Sequence, residues 1–336
     1  MQLQEGILFD NRYLLKKLLG RGGFSEVWLA EDALVDLEKV AIKVYAPGIG
    51  LDDDGTLIFK NEFKLVRRLN HPNLLHSTYF GICDHSPYLV MDFCDHGSTQ
   101  KLVGNMTEEQ VWHFLSDVAT GLAYLHEQEP SIIHQDIKPD NVLIDYQEHY
   151  LITDFGISTK ARSTLRKSMS KAEASSGTIA YMSPERFGRE NEPVKASDIW
   201  ALGATVFELI TGDAPFGDHG GLVQKSGAEI PYIKGSWSKE LLSIVNDCLQ
   251  NNPLERPTAD KLIKWAKNHA NGENLIVEEK KEINKQCIKC GKKIPPQRKF
   301  CIYCGSNQEV IRCRSCCTEI DISAKFCPYC RTKNNP

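Results

Sequence analysis

The chain has 336 residues, 41% apolar and 25% charged, with a formal net charge of −4 at neutral pH. That length predicts about two domains, each able to bury a core, and that balance excludes long disorder. No apolar run reaches the roughly 18 residues a spanning helix needs, and residues 1–10 lack the basic patch and apolar block of a secretory signal, so a cytoplasmic location is expected. Residues 287–336 hold ten Lys/Arg against three Asp/Glu, a formal +7 that leaves −11 for the residues before them. Nine of the twelve cysteines also follow residue 286, so charge and cysteine content shift at one boundary.

Residues 11–44 alternate short apolar runs with turns, and Tyr13-Leu14-Leu15, Glu26-Val27-Trp28-Leu29-Ala30 and Val40-Ala41-Ile42-Lys43-Val44 predict strands. Between the first two lies Gly20-Arg21-Gly22-Gly23-Phe24-Ser25, where glycines let a backbone approach an anion and present N–H groups to phosphate. Most glycine-rich turns are simply hairpins, so this one needs its neighbours to carry meaning. Residues 59–69 set apolar side chains at helical spacing and stop at Asn70-His71-Pro72. Tyr88-Leu89-Val90-Met91 predicts a buried strand, and Asp92-Phe93-Cys94-Asp95-His96-Gly97 the turn after it. Thr107, followed by Glu108 and Glu109, caps a helix through His126 whose apolar stripe is Val111, Phe114, Leu115, Val118, Leu122 and Leu125.

The stretch from His134 to Gly156 carries the densest chemistry. His134-Gln135-Asp136-Ile137-Lys138-Pro139-Asp140-Asn141 is followed by Val142-Leu143-Ile144 and then by Ile152-Thr153-Asp154-Phe155-Gly156. Short apolar runs around so many polar groups predict two strands flanking a loop, with carboxylates held rigidly at a cleft. These residues resemble the protein-kinase family. His134-x-Asp136, Lys138 and Asn141 are similar to its catalytic loop, and Asp154-Phe155-Gly156 to its metal-binding loop. The glycine-rich turn with Val27, and Val40-Ala41-Ile42-Lys43 after it, are similar to its phosphate-covering loop and phosphate-pairing lysine. Further on, Gly177-Thr178-Ile179-Ala180-Tyr181-Met182-Ser183-Pro184-Glu185, Asp198-Ile199-Trp200-Ala201-Leu202-Gly203 and Arg256 in Pro253-x-x-Arg256-Pro257 extend the resemblance, which covers residues 13–270.

The resemblance implies an α+β, two-lobed protein-kinase fold, a small β-rich N-terminal lobe and a mainly helical C-terminal lobe; the cysteine repeat of the tail, Cys287 to Cys330, adds two small zinc ribbons. The resemblance further implies ATP and magnesium or manganese as cofactors and a protein Ser/Thr acceptor as substrate. By the same resemblance, Asp136 orients the acceptor hydroxyl and receives its proton. Lys138 steadies the γ-phosphate, and its place two residues after Asp136 is the serine/threonine type of loop. Lys43 pairs with phosphates and with Glu62, and Asn141 and Asp154 hold the metal, an oxygen-seeking cation. Leu19, Gly20, Gly22, Gly23, Val27, Ala41, Met91, Asp92 and Cys94 line the nucleotide site, Cys94 reading also as a packing residue. Glu185 is expected to pair with Arg256. Singly, each of these is an ordinary solvated or turn residue; in this order over some 130 residues, coincidence is negligible.

Two positions depart from the family pattern. Ser25 stands where a third loop glycine is usual. Gln135 stands where an arginine usually clamps a phosphate on the activation segment, and an uncharged amide cannot do that. Activity is therefore expected not to require phosphorylation of Ser168, Ser170, Ser175 or Ser176. The rival reading is a pseudokinase-like nucleotide-binding scaffold that recruits partners through its tail, but the lysine and both key aspartates are present.

The domain boundaries expected are 11–270 for the kinase domain, 271–286 for a polar linker and 287–336 for the tail. In the tail, Cys287-x2-Cys290 and Cys301-x2-Cys304 are separated by ten residues, as are Cys313-x2-Cys316 and Cys327-x2-Cys330, and each cysteine recurs 26 residues on. Such pairs let four thiolates converge on zinc, so two zinc ions are expected, in ribbons at 287–304 and 313–330 whose folding free energy is metal binding. Cys317 is an additional bystander. Phe300, Tyr303, Phe326 and Tyr329 are expected in the small ribbon cores. Eight thiolates on two zinc ions shift the +7 to about +3, so protein docking or self-association is the favoured role of the tail and nucleic-acid binding the second.

Overall fold

The computed structural model describes residues 2–22, 25–155, 176–188, 192–270 and, in the tail, 285–286, 293–294, 310–313, 319–321, 326 and 330–333. Two compact units emerge, Met1–Leu275 and Ile276–Pro336. The first begins with β1 (Leu8–Phe9), β2 (Tyr13–Arg21), β3 (Ser25–Asp32) and β4 (Glu38–Tyr45). Helix α1 (Asp53–Val66) follows, then β5 (Ser77–Cys83) and β6 (Ser86–Asp92). The six strands form one antiparallel sheet in the order β1-β2-β3-β4-β6-β5.

The period-two alternation of β4 sorts its side chains. Ile42 and Val44 join Phe9, Tyr13, Leu15, Trp28, Tyr88 and Val90 in the small-lobe core. Ala41 and Lys43 therefore share the opposite face. On that face Ala41 is paired with Met91, and Lys43 with Val27 on one side and Leu89 on the other. Helix α1 begins earlier than the periodicity of 59–69 indicated and ends sooner. Asp52 accepts the Gly55 N–H at 2.8 Å, and acidic Asp53 and Asp54 in the first turn favour a start at that point.

The helical lobe is built on α2 (Glu108–His126) and α3 (Lys195–Thr211), with α4 (Gly221–Lys225), α5 (Lys239–Cys248) and α6 (Ala259–Ala270) around them. Thr107 and Gln110 close a capping box at the start of α2. The anticipated stripe of α2 is buried, together with Ile199, Trp200, Leu202 and Val206 of α3. Gly203 allows α3 and α5 to meet, since a Cβ there would lie 2.6 Å from Cys248 Cβ. Between α2 and α3 runs a short hairpin, β7 (Val142–Ile144) with β8 (Tyr150–Ile152).

In the second unit, β9 (Lys285–Gln286) pairs with β10 (Lys293–Ile294), and β11 (Val310–Arg312) with β12 (Glu319–Asp321). Lys293 faces Gln286 and Ile294 faces Lys285; Glu319 faces Arg312 and Ile320 faces Ile311. The two hairpins thus share one register displaced by the 26-residue repeat of the sequence. Phe326 corrects an expectation: it is 57% exposed rather than part of a ribbon core. Units of this size have too little surface to bury on both sides of a two-stranded ribbon. Phe300, Tyr303 and Tyr329 lie outside the described residues, as does Cys317.

Candidate active site

The β7–β8 hairpin explains how residues 13 apart in sequence meet. Val142 is paired with Ile152, so Asn141 and Thr153 flank the open end, where the Thr153 N–H donates to the Asn141 carbonyl at 2.9 Å. Asp154 is the next residue, held at a φ of +64°. Asp145 closes the other end by accepting the Gln147 and His149 N–H groups, each at 2.8 Å. Lys43, buried on the cleft face of β4, donates to Asp154 Oδ1. Its other expected partner, Glu62, lies on α1 as anticipated, but the Glu62 side chain lies outside the described residues.

The loop before the hairpin is fastened from below by Asp198, a fully buried carboxylate at the start of α3. It accepts the backbone N–H groups of His134 and Gln135, both at 2.8 Å, and the His126 Nε2–H at 2.9 Å. His134 is the side pin. Its Nδ1 accepts the Asp136 N–H at 3.2 Å and its Nε2–H donates to the Thr153 carbonyl at 2.9 Å, a neutral tautomer fixed by both partners. Gln135 is thereby held at a φ of +69°, a strain on the order of 1 kcal/mol that persists where surrounding bonds determine it. Ile137, fully buried, and the Thr99 hydroxyl on the Pro139 carbonyl at 2.9 Å complete the anchoring.

Within this frame the polar atoms divide their tasks. Asn141 Nδ2 donates to the Asp136 carbonyl at 2.8 Å and to Asp136 Oδ2 at 3.0 Å, which turns the Asn141 amide oxygen the other way. Asp136 Oδ1 is buried and accepts no hydrogen bond among the described residues. Lys138 Nζ lies 3.6 Å from it. One carboxylate oxygen is thus fixed and the other carries no hydrogen bond among the described residues but lies beside a cation, chemistry that suits accepting a hydroxyl proton next to an anionic group. The amide oxygen of Asn141 and the carboxylate of Asp154 are oxygen donors of the type a hard divalent cation takes.

Ala41, Met91 and Cys94 pack with Leu75 into an apolar cluster bordered by Val27 and Leu143. Burial, with nearby carboxylates, pushes the Cys94 thiol up to about 12, which fits a packing residue rather than a nucleophile. Leu19 and Asp92 are exposed, as are Gly20 and Gly22, where the Gly22 N–H donates to the Ser25 carbonyl at 2.8 Å. Gly23 and Gly156 lie outside the described residues, together with the anticipated activation-segment residues 157–175. Sequence reasoning missed Leu143 as a border of this cluster and Asp198 as the loop's anchor. An acid at the head of the otherwise apolar Ile199-Trp200-Ala201-Leu202 helix was the signal for the latter.

Below the site, Glu185 and Arg256 form a two-pronged ion pair with both N···O distances 2.8 Å. The remaining guanidinium donors reach the carbonyls of Gln250, Ala196 and Asn251. Burial alone would push the Glu185 carboxyl up. The Arg256 hydrogen bonds and charge outweigh it and, with the Ser197 hydroxyl, hold it at about 2.

In the tail, Cys313 and Cys330 are the two described zinc-ligand candidates. Their Sγ atoms lie 3.4 Å apart without a disulfide, although 17 residues separate them. Two thiolates on one tetrahedral zinc stand about 3.8 Å apart, so these residues fit a shared metal. Cys287, Cys290, Cys301, Cys304, Cys316 and Cys327 lie outside the described residues.

Comparison with known families follows this division. Residues 13–266 match the protein kinase domain family, and residues 287–331 the double zinc ribbon family. Over 214 residues the chain is 33% identical to serine/threonine-protein kinase PrkC of Bacillus subtilis, covering 63% of this chain and 32% of that protein. It is 30% identical over 262 residues to sporulation-specific protein 1 of Saccharomyces cerevisiae, covering 75% and 51%. Serine/threonine-protein kinase TOUSLED of Arabidopsis thaliana is 29% identical over 276 residues, covering 74% and 39%. The chain therefore spans only a third to a half of the length of these relatives. With a kinase-domain match over three quarters of its length and a double zinc ribbon behind it, the chain belongs to the protein kinase family.

Proposed function

We propose that the protein is a serine/threonine kinase that transfers the γ-phosphoryl group of ATP to a protein hydroxyl. The observation that carries the reading is Asp136 Oδ1, buried, accepting no hydrogen bond among the described residues, and 3.6 Å from Lys138 Nζ. Asp136 orients the acceptor hydroxyl and takes its proton as the oxygen attacks phosphorus, while Lys138 offsets charge on the transferred group. Asn141 and Asp154 hold magnesium or manganese, which when bound neutralises charge on the phosphates. Lys43 serves the phosphates with Glu62 as its counter-ion, and Gly20, Gly22 and Gly23 cover them. The base lies against Ala41, Met91, Cys94 and Val27, with Leu19 and Asp92 at the rim.

The kinase domain is assigned to residues 11–270, a linker to 271–286 and the ribbons to 287–336. Two zinc ions are held by Cys287, Cys290, Cys301 and Cys304, and by Cys313, Cys316, Cys327 and Cys330. Thiolates need a reducing compartment, which supports a cytoplasmic location. Among the described residues no helix is long and apolar enough to cross a membrane. The tail is assigned to docking of a protein partner or of a second chain. With Gln135 in place of an arginine, turnover does not depend on phosphorylation of the activation segment.

The experiment is steady-state phosphate transfer to a generic protein substrate before and after phosphatase treatment. Unchanged turnover is expected; abolition by phosphatase overturns the independence, and no transfer with ATP still bound overturns the kinase reading in favour of a scaffold.

A further inference from the structure

Two segments that the chain brings from 51 residues apart are bonded side chain to side chain, Arg186 Nη1 donating to Gln135 Oε1 at 3.2 Å. Gln135 immediately precedes Asp136, and its own N–H is fixed by Asp198 at 2.8 Å. Arg186 immediately follows Glu185, which Arg256 grips with two 2.8 Å bonds. A line of bonds thus runs from Arg256 through Glu185 to Arg186, across to Gln135 and on to Asp136. Both bridging residues are partly buried, and a charged donor on a neutral oxygen forms a stronger and more directional bond than a neutral pair. The neighbouring Lys225 Nζ donates to the Phe187 carbonyl at 2.9 Å, so the residue after Arg186 is also tied to the helical lobe.

We propose that Arg186 is a positioning residue. Through Gln135 it sets the aim of the Asp136 carboxylate, so that correct seating of the 183–187 segment is a condition for a competent catalytic loop. This rests on the kinase reading above. The Gln135 side chain is then more than a missing charge: its amide oxygen is the receptor for a cation supplied from within the chain. The contact lies in the loop and not at the cleft face of β4, so it acts on turnover and leaves nucleotide binding alone.

The test is a double-mutant cycle of Gln135→Met and Arg186→Met in the full chain, with kcat, KM for ATP and thermal unfolding measured together. Each single variant is expected to lower kcat about tenfold, the scale of one charge-assisted hydrogen bond that is partly solvated. KM for ATP stays within about twofold, and the double variant is no worse than either single one. Arg186→Lys, which keeps a cationic donor, recovers most of the loss. Unchanged kcat, additive losses, or a kcat loss matched by a fall in Tm overturns the proposal. Amide hydrogen exchange over residues 134–141 separates this from failure of the kinase reading. If the wild type transfers no phosphate, faster exchange there in Arg186→Met still upholds the coupling, and unchanged exchange overturns it.

Discussion

Replacing Arg256 by Met removes the guanidinium that holds Glu185 and leaves the carbonyls of Gln250, Ala196 and Asn251 without their donor. The Glu185 carboxyl stands at about 2 against an ordinary 4.5, and at about 1.4 kcal/mol per unit this difference amounts to roughly 3 kcal/mol. The side chain is 18% exposed, so solvent trims the figure to about 2–3 kcal/mol, just under the range for breaking buried pairs. Because the carboxyl is depressed in the folded protein, its contribution is fully present above pH 4.5 and is lost as pH falls toward 2. Urea unfolding of wild type and Arg256→Met, followed by tryptophan fluorescence, is the assay. At pH 7 the variant is expected to be about 2–3 kcal/mol less stable, and near pH 3 the gap should narrow to about 1 kcal/mol. A deficit below about 1 kcal/mol at pH 7, or one that does not shrink in acid, refutes the reasoning.

Lys43→Met should lower kcat/KM by at least about a hundredfold while leaving unfolding midpoints near those of the wild type, because the loss is of positioned charge and not of core; a variant within tenfold of wild type contradicts the role. Gly203→Val places a side chain 2.6 Å from Cys248 Cβ and should cost about 1–3 kcal/mol by overpacking, read as a lower Tm. Cys313→Ser should lower bound zinc from two ions to one per chain by metal analysis, with the first ribbon retained; a chain that keeps both ions disproves the ligand assignment.

Sequence reasoning reached the strand pattern from short apolar runs set between turns, and the structure shows β4 to be two-faced. Ile42 and Val44 can only pack inward, which puts Lys43 on the cleft side with Ala41. It reached Asn141 and Asp154 through the resemblance of their motifs to the protein-kinase loops, and the apolar runs between them predicted two strands flanking a loop. What it could not reach were bonds between distant segments. Asp198 became legible as an anchor only when its three donors, from α2 and from the loop, were in place. Arg186 gave no local sign of its contact, since an arginine after a Pro-Glu pair is an ordinary surface residue until the fold brings Gln135 to it. The early start of α1 escaped periodicity because Asp52, Asp53 and Asp54 act through capping and charge instead of apolar spacing. Phe326 was misplaced by expecting each metal-folded ribbon to bury its aromatic residues in a small core of its own.

The most direct measurement is transfer of labelled γ-phosphate from ATP to a generic protein substrate by wild type, Asp136→Asn and Asp154→Asn. Asparagine keeps the size of each side chain and removes the proton acceptor or the anionic metal ligand. Transfer to serine or threonine that requires a divalent cation, and that falls at least about a thousandfold in both variants, is the result expected. Transfer that survives in Asp136→Asn, or a wild type that binds ATP and transfers nothing, contradicts the account.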